Sequence, residues 1–169
     1  EGTVTQVRID QADVAEIRGR HPIGITDGLV LGLTHWARGL RAAGQPATAL
    51  HHLEQISEPP VRRLAGYDLL DLAVRAGRLD LACDWVDELA DFAAGTGVPA
   101  AVAAVEHGRA LLADGSDAEA HFERALAAHA DSPRRADRAR TQLAFGEYLR
   151  RARRRVDAHE LPYLLLLDA

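Results

Sequence analysis

Three alanines constrain what this chain can fold into. Ala49, Ala82 and Ala118 are each followed four residues later by a large apolar residue, Leu53, Val86 and Phe122. Three positions further on, each series continues with Ile56, Leu89 and Ala125. The first two alanines stand five residues after the glycines of Ala-Gly turns, Gly44 and Gly77, and the third follows Gly115 by a turn two residues shorter. The i, i+4, i+7 spacing puts each set on one face of a helix. A small residue at the head of each set lets a second helix come close. The pattern begins once more at Ala158, so its steps are 33, 36 and 40 residues. A unit of that size is one helix pair, which cannot bury both its faces alone and has to stack on its neighbours.

Taken in order, residues 1–24 read as a polar lead-in, where Asp10 could cap a short helix bearing Val14 and Ile17. Residues 25–169 read as one helical-repeat domain of about four helix pairs with an atypical last pair. Asp27 to Ala43 predicts a helix with Leu29, Leu33, Trp36, Ala37 and Leu40 inward, ended by Gly44. Pro46 opens its partner, with Ala49, Leu53 and Ile56 inward, and Pro59-Pro60 closes it. Val61 to Ala76 predicts a third helix, with Leu64, Tyr67, Leu70 and Ala73 inward, ended by Gly77. Asp80 to Ala94 is its partner, and Ala100 to Ala113 follows a Gly95–Pro99 loop. Ser116 and Glu119 stand at capping-box spacing and predict a helix start with Ala118, Phe122, Ala125, Leu126 and His129 inward. Asp131-Ser132-Pro133 predicts a cap and a first-turn proline for the next helix. That helix is expected to bury Ala136, Ala139, Leu143, Gly146 and Leu149, with Gly146 marking a close approach. Pro162 interrupts the pattern that begins at Ala158. No segment alternates as a strand would.

Composition narrows the function classes. Apolar residues are 47% of the chain but aromatics only 5%, a core of alanine and leucine that suits helix-on-helix packing. A net charge of −5 argues against nucleic-acid binding by bulk electrostatics. Cys83 is alone, so no internal disulfide can form, and its apolar helical setting predicts a buried, inert thiol. No secretory leader or membrane-length apolar run is present, which predicts a cytoplasmic protein with no membrane partner. The chain opens on Glu1, as a fragment would. All 20 basic residues are arginine, so a GxxxxGK[ST] phosphate loop cannot form and ATP binding of that kind is not expected.

The repeat matches the A-x3-F-x2-A half of a tetratricopeptide motif, degenerate in its first helix. Three stretches carry a more specific likeness: HWARGLRAAGQPATALHHLEQI (35–56), DLLDLAVRAGRLDLACDWVDELADFAAGTG (68–97) and HFERALAAHADSPRRADRARTQLAFGEYLRRARRRVDA (121–158). Over roughly residues 21–158 the chain resembles the helical-repeat region of the large ATP-binding regulators of the LuxR family found in actinomycetes. The resemblance implies an all-α, right-handed superhelix of tetratricopeptide-like antiparallel helix pairs. It also implies a middle region that receives an inducer or partner signal and helps control self-association. The ATPase module and the helix-turn-helix domain of that family have no counterpart here, so DNA would be contacted only through a domain absent from this chain.

The candidate sites follow from that architecture. A helical solenoid binds in the groove lined by the first helix of each pair, and Trp36, Tyr67, His107 and Tyr148 lie on those helices. An arginine cluster, including Arg138, Arg150, Arg151 and Arg154, could meet an anionic partner; the alternative is a solvated face paired with nearby acids. Eight histidines form no set with the convergence a zinc site needs, as in the adjacent His51 and His52 or the widely spaced His121 and His129. No Ser-His-Asp arrangement has supporting local context. The reading is a non-catalytic, cofactor-free, metal-free signal-sensing and protein-interaction region of a LuxR-family regulator. The alternative is a free-standing tetratricopeptide-like adaptor that docks a protein or peptide. The apolar end, Leu161 and Tyr163 to Leu167, is expected to fold back or to pair with a second copy as a homodimer.

Overall fold

The computed structural model describes residues 26–167, with side chains through Arg153. The short N-terminal helix expected after Asp10, the side chain of Arg154 and the apolar side chains after Leu161 lie outside it. The described chain is helical, without strands. The helices are α1 (Asp27–Arg41), α2 (Pro46–Glu54), α3 (Pro59–Leu64), α4 (Gly66–Arg75), α5 (Leu79–Thr96), α6 (Pro99–Leu112), α7 (Gly115–Ala128) and α8 (Arg135–Leu167), with a 3-10 turn at His129–Asp131 before α8.

Local chemistry sets most of the helix ends. Pro46, Pro59 and Pro99 each open a helix, where proline's missing N–H costs nothing. Helix α4 ends in a Schellman arrangement: Gly77 takes φ 73°, its N–H donates to the Val74 carbonyl at 3.1 Å, and the Arg78 N–H donates to Ala73 at 2.8 Å. Gly97, at φ 63°, ends α5 in the same left-handed region. The predicted capping box at Ser116 does not form. Asp114 is the N-cap of α7 and no side chain caps that end. Pro133 likewise lies outside α8; the Ser132 hydroxyl instead accepts the Arg134 N–H at 3.2 Å. Helix α8 runs through Pro162 to Leu167 without the expected interruption.

Apart from α2 and α3, successive helices pack on one another, and α1 also meets α3, α2 meets α4, and α4 meets α6. The predicted pair faces are buried: Ala49, Leu53 and Ile56 on α2 and its end, Ala82, Val86 and Leu89 on α5, Ala118, Phe122 and Ala125 on α7. Trp85 fills the centre, fully buried, its indole N–H donating to the Gly66 carbonyl at 3.2 Å. A Cβ on Gly66 would sit 3.4 Å from that ring. The Arg62 guanidinium lies 4.5 Å over its face. The third predicted helix is divided at Ala65 (ψ 1°) into α3 and α4, which turns Leu64 outward.

Two helices present a different face from the predicted one. On α1, Leu29, Leu33, Ala37 and Leu40 point out, and Gly32 and Gly39 face the core. A Cβ on Gly39 would overlap Leu53, and one on Gly32 would crowd Val61. The two glycines let the α1 backbone settle directly on α2 and α3, so the leucines are not needed for that contact. On α8 the inner residues are Asp137, Thr141, Ala144, Phe145 and Tyr148, while Ala136, Ala139, Leu143, Gly146 and Leu149 face out. Gly146 has open space around it rather than a neighbouring helix. Phe145 stacks on Phe122 with ring centroids 5.1 Å apart, and the polar inner residues are matched by partners described below. Cys83 is exposed on the outer side of α5, against the expectation of burial. Among the described residues, no helix is long and apolar enough to cross a membrane.

Candidate functional site

Helices α4, α6 and α8 enclose a cleft of about 390 Å³. Helix α4 contributes Tyr67, Asp68, Asp71 and Arg75, one per turn or nearly so; α6 contributes His107; α8 contributes Arg140, Leu143, Ala144 and Glu147. The walls therefore come from segments up to eighty positions apart in sequence.

Beneath the cleft lies a buried polar chain. The Tyr67 hydroxyl is 2.9 Å from His129 Nε2, His129 Nε2 is 3.3 Å from Thr141 Oγ1, and Thr141 Oγ1 is 3.2 Å from His107 Nδ1. Tyr67, His107, His129 and Thr141 are all buried. The Thr141 hydroxyl donates to the Asp137 carbonyl one turn back, at 3.2 Å. With the Thr141 proton on the Asp137 carbonyl, His107 donates from Nδ1 to Thr141 and its Nε2 carries the lone pair. Burial drives the His107 pKa down to about 4, with nearby His129 and Arg140 acting in the same direction. Burial also lowers His129, more than Asp137 restores, and pushes the Tyr67 phenol up. All three are neutral at neutral pH. The Tyr67 and His107 rings lie 4.7 Å apart, which holds both against the same wall.

The cleft's charged groups are mostly committed. Arg140 on α8 reaches Asp68 on α4 at 2.9 Å, and the Trp36 indole N–H donates to the other Asp68 oxygen at 2.8 Å. Arg75 donates to the Ala43 carbonyl at 3.1 Å and lies 3.5 Å from Asp71. Arg134 pairs with Asp137 at 2.6 Å and donates to the Leu64 carbonyl at 3.2 Å, pinning the start of α8 over α3. A separate cluster joins α6 to α7. Glu106 accepts from His121 and Arg124 at 2.7 Å each and from Arg109 at 2.9 Å. Burial raises its pKa, but those hydrogen bonds win and leave it below the usual carboxylate value.

Of the four residues predicted for a groove, Tyr67 and His107 line this cleft together. Trp36 stands behind it, anchoring Asp68. Tyr148 is elsewhere: its hydroxyl donates to the Gly115 carbonyl at 2.6 Å and its ring lies 5.8 Å from Phe122, so it clamps α8 to the start of α7. Of the predicted anionic-partner patch, Arg138, Arg150 and Arg151 are exposed. Arg151 donates to the Glu147 carbonyl at 3.3 Å, and the other two form no ion pair among the described residues. Asp68, Asp71, Arg140, Thr141 and Glu147 were not singled out by the sequence. Thr141 in particular carries a legible signal, a lone β-branched hydroxyl amid arginines, but its meaning depends on His107, thirty-four positions away. No cluster of three or more histidine, cysteine, aspartate or glutamate residues that could hold a metal occurs among the described residues. No family model, curated protein or solved structure matches the chain.

Proposed function

We propose that this chain is a non-catalytic signal-sensing and protein-interaction region of a LuxR-family transcriptional regulator, built as a right-handed superhelix of tetratricopeptide-like pairs. The reading draws its family from the three stretches at 35–56, 68–97 and 121–158. Self-association through the apolar C-terminal run belongs to the same reading. The observation that carries the sensing role is the cleft of about 390 Å³ that joins helices of three successive pairs over a buried imidazole. A ligand seated there would touch α4, α6 and α8 at once. It would bias the position of the last helix, which is the only coupling a sensor needs. The hydroxyls that stand beside imidazoles, Thr141 at His107 and Tyr67 at His129, are buried and engaged in hydrogen bonds.

A thermal-shift screen of a chemically diverse metabolite library tests this, with Leu143→Glu at the exposed cleft rim as the control. Compounds that raise the native melting temperature by several degrees and lose the effect in the variant support it. Turnover of such a compound would refute the non-catalytic reading. A chain that responds only to a protein, equally in native and variant forms, would move the assignment to a free-standing adaptor.

A further inference from the structure

The cleft's charge is unbalanced, with Asp68, Asp71 and Glu147 set against Arg75 and Arg140. His107 is 3% exposed and lines the cleft, with Nδ1 engaged by Thr141 and Nε2 without a partner. In the tautomer with Nδ1 donating to Thr141, Nε2 offers a lone pair. On the facing wall, the Glu147 carboxylate has no hydrogen-bond or ion-pair partner among the described residues. Asp71 is held loosely, by one arginine at 3.5 Å. Both cations are matched in charge, Arg140 by Asp68 and Arg75 by Asp71 and the Ala43 carbonyl, although each guanidinium keeps further N–H donors. What remains unmatched in charge is the Glu147 carboxylate, in a cleft that also holds the His107 imidazole and an apolar edge made by Leu143 and Ala144. An unpaired carboxylate beside a neutral acceptor suits a donor-bearing cation, which would meet both groups together.

We propose that the cleft binds a compact organic ammonium, whose N–H donors meet His107 Nε2 and the Glu147 and Asp71 carboxylates while its apolar body lies on Leu143 and Ala144. This rests on the cleft being the ligand-receiving site of the sensing reading. Its volume admits a ligand of modest size, at the low end of ordinary small-molecule pockets of about 300–1,000 Å³. The mouth is polar and open enough that the ammonium enters without losing all its water.

Titration calorimetry at pH 7.5 with n-butylammonium and phenethylammonium, against butyrate and n-butanol, is the test. The expected result is saturable binding of the ammonium probes and none of butyrate. Glu147→Gln should weaken binding at least fivefold without changing the melting temperature, since the native carboxylate has no partner to lose. His107→Gln should weaken it further, and the His107 Cε1–H proton resonance should move on titration with the native chain. Butyrate binding as tightly as the ammonium, or ammonium binding indifferent to both Glu147→Gln and Asp71→Asn, overturns the proposal. If no probe binds but a library compound still shifts the native melting temperature and not that of Leu143→Glu, the ammonium assignment fails and the sensing cleft stands. If neither binds, both fail.

Discussion

Acid should weaken this fold through His107, and the size of the effect can be worked out. The imidazole is 3% exposed, neutral, and its pKa is lowered from 6.5 to about 4. A depressed folded-state pKa means that the unfolded chain takes up the proton first. The contribution is therefore complete above pH 6.5, declines by about 1.4 kcal/mol per pH unit down to about pH 4, and is flat below that. The full loss is about 3 kcal/mol, of which about 2 kcal/mol is gone at pH 5. His129, lowered chiefly by burial, acts in the same direction. For a chain of this length, 2 kcal/mol corresponds to about 4–8 °C in melting temperature. His107→Gln keeps a side chain that can donate to Thr141 but does not titrate. The variant should be less stable than the native chain at pH 7.5, and its further loss between pH 7.5 and pH 5 should be smaller by about 2 kcal/mol. Urea unfolding of both chains at pH 7.5, 6 and 5 measures the difference, and groups that titrate alike in both cancel. Equal pH dependence in the two chains would show that His107 is not held neutral by burial.

Two glycines should respond with opposite sign. Gly108→Ala places a methyl 2.5 Å from Val86 and 3.2 Å from Leu70, and should cost about 1 kcal/mol net after the helix-propensity gain, whereas Gly146→Ala, in open space, should gain up to about 1 kcal/mol; matching shifts in denaturant midpoint would contradict the packing described. Asp68→Ala removes the acceptor shared by Trp36 and Arg140 and should cost about 1–2 kcal/mol, against under about 1 kcal/mol for Arg140→Ala, whose side chain is half exposed; calorimetric melting of both variants compares them. Cys83, exposed on α5, should react fully with a thiol-specific chromogenic reagent in the native state, and a reaction that waits for denaturant would place the thiol inside.

The sequence by itself determined where most helices start, stop and pair. Pro46 opens a helix and Gly77 ends one as the sequence reads, because φ restriction and left-handed backbone are properties of single residues; Pro59, read as a helix end, and Pro99 and Gly97, read as loop, instead open two helices and end a third. Ala49, Ala82 and Ala118 head the buried faces because a repeated i, i+4, i+7 set admits one amphipathic arrangement. Tyr67 and His107, singled out in the sequence by the helices they lie on, both line the cleft between α4, α6 and α8. Tertiary structure alone decided which face α1 and α8 bury. Their leucine and alanine stripes mark each as a helix but do not say what approaches. On α1 the absent side chains of Gly32 and Gly39 allow a closer contact than leucine could. On α8 the buried residues Asp137 and Thr141 look like surface residues until Arg134 neutralises the Asp137 carboxylate and His107 and His129 reach the Thr141 hydroxyl. Three of the four groups in the chain under the cleft, Tyr67, His107 and Thr141, come from different helices, and the fourth, His129, from the turn before α8. A polar residue can be buried once its partner arrives, and that partner is supplied by packing between positions far apart in the chain.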